Sequence, residues 1–234
     1  TTYSVRFDGK VILNPSPVSM TFDNGIVIGR NMKVKNVERI TQDQILKPVV
    51  RQKSEQIHDH YNEMVLHADQ YQLHFRVYND GVAYRFRTDF ADSLKVLSEE
   101  VAYCFPEDYN TLFPEERTML SAQQPLFKPL KLSEIGTDLF CSTPVLIKIN
   151  DDARIFISES DLESYPGMFL RKQGKYELAG KFAAYSLEEA PKGRQIFPTK
   201  RADYLAHVKG TRNYPWRAMI VAPNDANLVT NQLI

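Results

Sequence analysis

The sequence predicts an all-β fold, a large antiparallel β-sandwich, and three observations carry that prediction. Short apolar segments alternate with polar residues at a period of two, the breaks between them are turn dipeptides such as Asp-Gly and Asn-Gly, and no stretch has the longer periodicity of an amphipathic helix. The 12 Tyr and 13 Phe among 234 residues suit strands as well. By pattern the chain holds about 14 to 18 short strands, enough for two large sheets packed face to face. A single domain of 234 residues can bury a sizeable core.

In order, Tyr3, Val5 and Phe7 alternate with polar residues, and Asp8-Gly9 turns them into Lys10 to Leu13. Asn14 to Pro17 is expected to interrupt. Val18, Met20 and Phe22 then alternate up to Asn24-Gly25, and Ile26 to Ile28 returns. Met32, Val34 and Val37 to Ile40 suggest a strand with a slip in phase, a bulge. From Ile45 to His67 an exposed polar strand is expected; His58 and His60 share one face at a metal-binding spacing, but no third ligand is near. The clearest hairpin joins Tyr71 to Val77 with Val82 to Phe86 through Asn79-Asp80-Gly81, and it leaves Arg76, Arg85 and Arg87 on the face opposite the apolar residues.

Leu94 to Phe105 is a further strand. Pro106 to Pro114 reads as a loop, and Gln123 to Leu132, with two prolines, as an extended crossing between sheets. Pro144 to Ile149 and Ala153 to Ile157 form a hairpin around Asn150-Asp151-Asp152. Met168 to Leu170 continues apolar, Tyr176 to Ala190 alternates loosely, Pro191 to Gly193 turns, and Tyr204 to Val208 is a strand. Trp216, the only tryptophan, opens the last apolar run, and a polar loop is expected over Pro223 to Asn227.

Composition excludes several function classes. Lys plus Arg and Asp plus Glu both number 29, so no net field favours nucleic acid or an anionic membrane. No run approaches the length needed to span a bilayer. Cys104 and Cys141 lie in apolar runs and read as buried small side chains rather than a disulfide framework or a zinc site. The chain begins at Thr-Thr-Tyr with neither an initiator Met nor a signal peptide, and so reads as an excised or processed piece. There is no Gly-rich phosphate loop and no nucleophile elbow.

Chemistry concentrates in Arg154 to Met168, R-I-F-I-S-E-S-D-L-E-S-Y-P-G-M. Ser160 and Glu163 have the spacing of a capping box, which would start a helical turn that Pro166 and Gly167 end. Glu159 then sits at the lip of a strand, where its carboxylate can point towards a neighbour. Three acids, Glu159, Asp161 and Glu163, admit two readings: a calcium site, or a capped turn with solvated carboxylates. A hard cation needs several oxygens, and this cluster supplies too few alone.

Four blocks stand in order: Y-S-V-R-F-D-G-K-V-I-L-N-P-S-P from Tyr3, R-V-Y-N-D-G-V-A-Y-R-F from Arg76, the Glu159 to Met168 cluster, and Tyr214 to Ile220. Together they resemble the N-terminal domain of glycoside hydrolase family 97. The resemblance implies a β-super-sandwich of galactose mutarotase-like fold spanning residues 1–234, with a catalytic (β/α)8 barrel expected after residue 234 and absent here. It also implies a calcium-dependent, exo-acting α-glucosidase or α-galactosidase, periplasmic or secreted, acting on an α-linked oligosaccharide or α-galactoside. The catalytic carboxylates would lie on the barrel, so no catalytic residue is expected here. One N-terminal glutamate would join barrel glutamates around the calcium. The E-x-D-L-x-x-Y-P-G-M block puts that role on Glu159, with Glu163 as the fallback.

Two other classes compete. A free-standing mutarotase-like sugar epimerase would use His74 and His207 with a glutamate as acid and base. A carbohydrate-binding module would use exposed tyrosines and Trp216, whose alternative role is a core or domain-interface anchor.

Overall fold

Asp8 and Gly9 both take positive φ, 47° and 77°, the geometry of the type I′ turn whose twist matches a two-strand hairpin. The turn joins β1 (Thr2–Phe7) to β2 (Lys10–Phe22), and β3 (Val27–Ile28) folds back on the end of β2. The computed structural model describes residues 1–50, 53–149 and 153–233. The predicted Asn150-Asp151-Asp152 turn lies outside them.

A long ribbon follows, β4 (Asn36–Leu46) with β5 (Ile57–His67), and then the predicted hairpin, β6 (Tyr71–Tyr78) with β7 (Gly81–Asp89). Next come β8 (Leu94–Cys104), β9 (Asn110–Glu116), β10 (Phe127–Lys131), a 3-10 turn (Leu132–Glu134), β11 (Phe140–Cys141), β12 (Val145–Ile149) and β13 (Ala153–Ser160). The chain continues through β14 (Met168–Lys172), β15 (Glu177–Phe182), β16 (Ser186–Lys192), β17 (Gln195–Arg201), β18 (Ala206–Val208) and β19 (Thr211–Asn213). It closes with β20 (Trp216–Ala222) and a short helix, α1 (Asp225–Thr230). The described residues therefore hold 20 strands, slightly more than the pattern predicts.

Two antiparallel sheets form the sandwich. The first runs β4-β5-β6-β7-β20-β13-β12-β9-β10, with β19 beside the far end of β7. The second runs β3-β2-β8-β15-β14-β11, with β1 on β2 and β18 on β8. β9 belongs to both, pairing with β12 through Leu112 and with β11 through Glu115 and Glu116. Ile147, Ile155, Ile157, Met219 and Val221 of the first sheet pack against Val101, Tyr103, Leu170 and Leu178 of the second. Each such side chain contributes roughly 1.5–3 kcal/mol on burial. The β16-β17 hairpin pairs only with itself.

Five expectations are corrected. Asn14 to Pro17 does not interrupt β2. Its first part pairs with β1 as far as Pro17↔Thr2, its last part pairs with β8 from Val18↔Val101, and at the junction the Ser16 hydroxyl accepts from the Cys104 amide at 3.0 Å. No strand covers Met32 and Val34, and β4 pairs with β5 without a bulge; register shifts lie in β1-β2, β2-β8 and β16-β17 instead. Asn110–Glu116 is a strand at the joint of the two sheets rather than part of a loop, and Phe127–Lys131 pairs with it as an edge strand, where Pro129 needs no second partner. The segment after Pro223 is helical, capped by the Asn224 side chain accepting from the Asn227 amide at 3.0 Å. Cys104 and Cys141 are free thiols, Cys141 buried and Cys104 half-buried.

Candidate functional site

β13 alternates, so Ile155, Ile157 and Glu159 face the sandwich interior while Phe156, Ser158 and Ser160 face away. Glu159 therefore points into its own sandwich. Directly across the ladder is Arg217 of β20, on the same inward face as Met219 and Val221. The Arg217 guanidinium donates through Nη1 to Glu159 Oε2, and through Nε and Nη2 to the two oxygens of Glu99 on β8, at 2.8 and 2.6 Å. The remaining Glu159 oxygen accepts from the Met168 amide at 2.7 Å. Side-chain exposures of 7% for Glu159, 5% for Glu99 and 1% for Arg217 mark a largely buried triad that ties the two sheets together. Burial pushes the Glu159 carboxyl up, opposed by Arg217 and the Met168 amide. Burial alone would lower the Arg217 guanidinium, but the two carboxylates hold it above its ordinary value.

The rest of the acidic cluster lies outside the core. β13 extends through Ser160, and no helical turn follows. Asp161 and Ser164 take positive φ, 63° and 49°, and the segment closes with the Tyr165 N–H donating to the Leu162 carbonyl at 3.2 Å. Neither reciprocal bond of the predicted capping box forms among the described residues, because the chain turns back at Asp161 before a helix could start. Asp161 accepts from Arg85 at 3.1 Å. Glu163 is exposed, and no hydrogen bond or ion pair of its carboxylate occurs among the described residues; only its backbone carbonyl is engaged, accepting from Arg212 at 2.8 Å.

Asp161, Glu163, Ser164, His207, Lys209, Arg212 and Asn213 line a polar groove of about 650 Å³. His207 thus stands at this groove, whereas His74 lies on the outward face of β6, bonded to Glu63 at 2.7 Å and to Gln72 at 3.0 Å. No bond joins the two histidines among the described residues. Burial holds His74 below its ordinary value, opposed by Glu63. His58 bonds to Asp43 at 2.7 Å and stacks on His60. Among the described residues no three His, Cys, Asp or Glu side chains converge in a way that could hold a metal ion.

The arginine row on the β6-β7 face is not simply solvated. Arg76 and Arg85 each stack on Trp216, at 4.6 and 4.3 Å from its ring, and Arg76 also covers Tyr61 at 4.2 Å. Glu63, nearly buried beneath them, accepts from Arg76 at 3.1 Å. Sequence reasoning placed the arginines on one face but missed Glu99 and Arg217. Their signal was faint: a charged residue at an inward position of an otherwise apolar strand.

The Glycosyl-hydrolase 97 N-terminal family model matches residues 1–234. The chain belongs to this family. A retaining alpha-galactosidase of Bacteroides thetaiotaomicron is 31% identical over 246 aligned residues, which take in 99% of this chain and 37% of that protein. A glycoside hydrolase family 97 enzyme from Pseudoalteromonas sp. strain K8, solved with acarbose, shares the fold with a TM-score of 0.83 at 17% identity, over 99% of this chain and 34% of its own. A beta-arabinopyranosidase matches with a TM-score of 0.73 at 23% identity, over 95% and 36%. The family 97 chain described here thus spans little more than a third of the length of these relatives. The all-β sandwich and the family expected from the four sequence blocks are both found.

Proposed function

We propose that this sandwich is the non-catalytic N-terminal domain of a calcium-dependent α-glycosidase, that it packs on a catalytic barrel in the same polypeptide, and that it lends that barrel one carboxylate for calcium. An α-galactoside is the first substrate to test, given the B. thetaiotaomicron relative. The observation that carries the reading is the contrast between the two candidate acids. Calcium takes about six to eight oxygen ligands and needs carboxylates with free lone pairs. Glu159 has both oxygens bound inside the sandwich, so binding an ion would require breaking a buried ion pair. Glu163 is exposed at the lip of a polar groove with its carboxylate unengaged, and it is the ligand we assign.

One carboxylate is too few for calcium by itself, so in this reading the remaining ligands come from the barrel. When bound, calcium would fix the sugar and polarise a carboxylate or water supplied by the barrel. This chain's part is to hold Glu163 on a short turn anchored by Arg212 and by the Arg85–Asp161 pair. The pure 234-residue chain should release no nitrophenol from p-nitrophenyl α-galactoside or α-glucoside, while the long polypeptide should release it and lose activity on chelation. Hydrolysis by the chain alone would overturn the reading, and so would mutarotation of galactose.

A further inference from the structure

The first sheet carries apolar side chains on both faces. Its inner face is the sandwich core. Its outer face should be polar if it met only water, because an antiparallel sheet covered on one side alternates apolar-in and polar-out. Instead a row of non-polar residues crosses it in register: Pro129 opposite Leu112, Leu112 opposite Leu146, Leu146 opposite Phe156, Phe156 opposite Ile220, and Ile220 opposite Gly81. Leu112, Leu146 and Phe156 remain partly exposed. Beside this row lies the stack of Tyr61, Arg76, Trp216 and Arg85, the residue types that dominate protein interfaces. Arg85 Nε is buried there without a hydrogen-bond partner.

Two further observations fix what covers this face. The Arg154–Asp225 bond at 2.7 Å draws α1 onto it, and the Leu233 side chain occupies the space that a Cβ on Gly81 would fill, so the last described residues run along the same face. Arg76, Arg85 and Arg154 on this face are each paired with a carboxylate, Glu63, Asp161 and Asp225, and Arg87 adds a further positive charge that suits a partner surface presenting a carboxylate beside apolar side chains.

We propose that the outer face of β9-β12-β13-β20-β7-β6 is the surface on which the remainder of the family 97 polypeptide seats, with Phe156 and Trp216 as its anchors. This rests on the proposed packing against a barrel and adds the face and the residues. Asp161, bound to Arg85 on this face, would bring the neighbouring Glu163 to the rim of the same contact.

Hydroxyl-radical footprinting of the 234-residue chain and of the long polypeptide tests it. Labelling of Leu146, Phe156 and Trp216 should fall several-fold in the long form, while Ile45 on β4 and Ile196 on β17, both exposed, keep their reactivity. Protection at Ile45 or Ile196 instead would overturn the choice of face and leave the packing intact. Protection nowhere would overturn the packing itself. Phe156→Glu provides the second arm. In the 234-residue chain it should leave the melting temperature nearly unchanged, because Phe156 faces away from the core, whereas in the long form it should restore labelling at Leu146. Unfolding of the short variant, or continued protection of Leu146 in the long one, would refute the assignment.

Discussion

Arg217 and Glu159 stand directly opposite each other on β20 and β13, and their charges meet inside the sandwich rather than at its surface. Because Glu99 reaches the same guanidinium from the second sheet, two carboxylates share one cation. Removing the cation is therefore far worse than removing one anion. Arg217→Met should cost roughly 3–5 kcal/mol, since two buried carboxylates lose their compensation. Glu159→Gln should cost about 1–2 kcal/mol, since Glu99 still neutralises Arg217 and the amide oxygen can still accept from Met168. Urea unfolding of both variants gives the comparison, and equal losses would refute the shared-cation account.

Calcium dependence should separate the same two acids in the long polypeptide. Glu163→Gln should raise the calcium concentration needed for half activity while the melting temperature of the 234-residue chain stays put. Glu159→Gln should do the reverse. Titrating calcium against rate, with thermal melts in parallel, reads both.

His74 gives stability a pH dependence of known sign. Its folded value lies below the ordinary 6.5 because burial disfavours the imidazolium. On acidification the unfolded chain takes up that proton first, so this contribution is complete above about 6.5 and is lost as pH falls from there through the folded value. His74→Asn should flatten that part of the stability profile, as measured by urea midpoints across the range.

Two glycines at positive φ should respond differently to alanine. At Gly29, φ 81°, a Cβ would sit 2.5 Å from the Val18 carbonyl oxygen and 2.8 Å from the Phe86 ring, so strain and overlap add and the loss should exceed about 2 kcal/mol. At Gly193, φ 65°, nothing lies within 4 Å, and only the backbone penalty of about 1–2 kcal/mol applies. Thermal melts of the two variants should rank in that order.

The hairpins were legible for two reasons: Asp8-Gly9 meets a turn that demands positive φ, and Asn79-Asp80-Gly81 is a turn sequence set between two cleanly alternating runs, although none of its residues takes a positive φ. β9 and β10 were not, since Pro114 and Pro129 read as breakers when taken singly. Each is tolerated here because its missing donor falls where the ladder does not require one. The acidic segment was visible in the sequence, but spacing could not say which of its carboxylates turns inward. That depended on strand parity being maintained as far as Ser160, and on Arg217 arriving opposite from 58 residues away. The basic face of β6-β7 was visible in the pattern, while Trp216 as its centre was not, because a stack made by β20 has no local signature.

β9 carries hydrogen bonds to both sheets, and this gives the sandwich a spine like that of a bound book. The two leaves cannot slide past one another at that margin without breaking main-chain bonds, whereas at the far margin β3 pairs with β2 and β4 with β5, with no ladder between the leaves among the described residues. A domain seated on the first sheet as proposed would therefore rest on a leaf that is joined to the other through the main chain at one margin. The Arg217 triad is a second tie between the leaves, made by side chains well inside that margin.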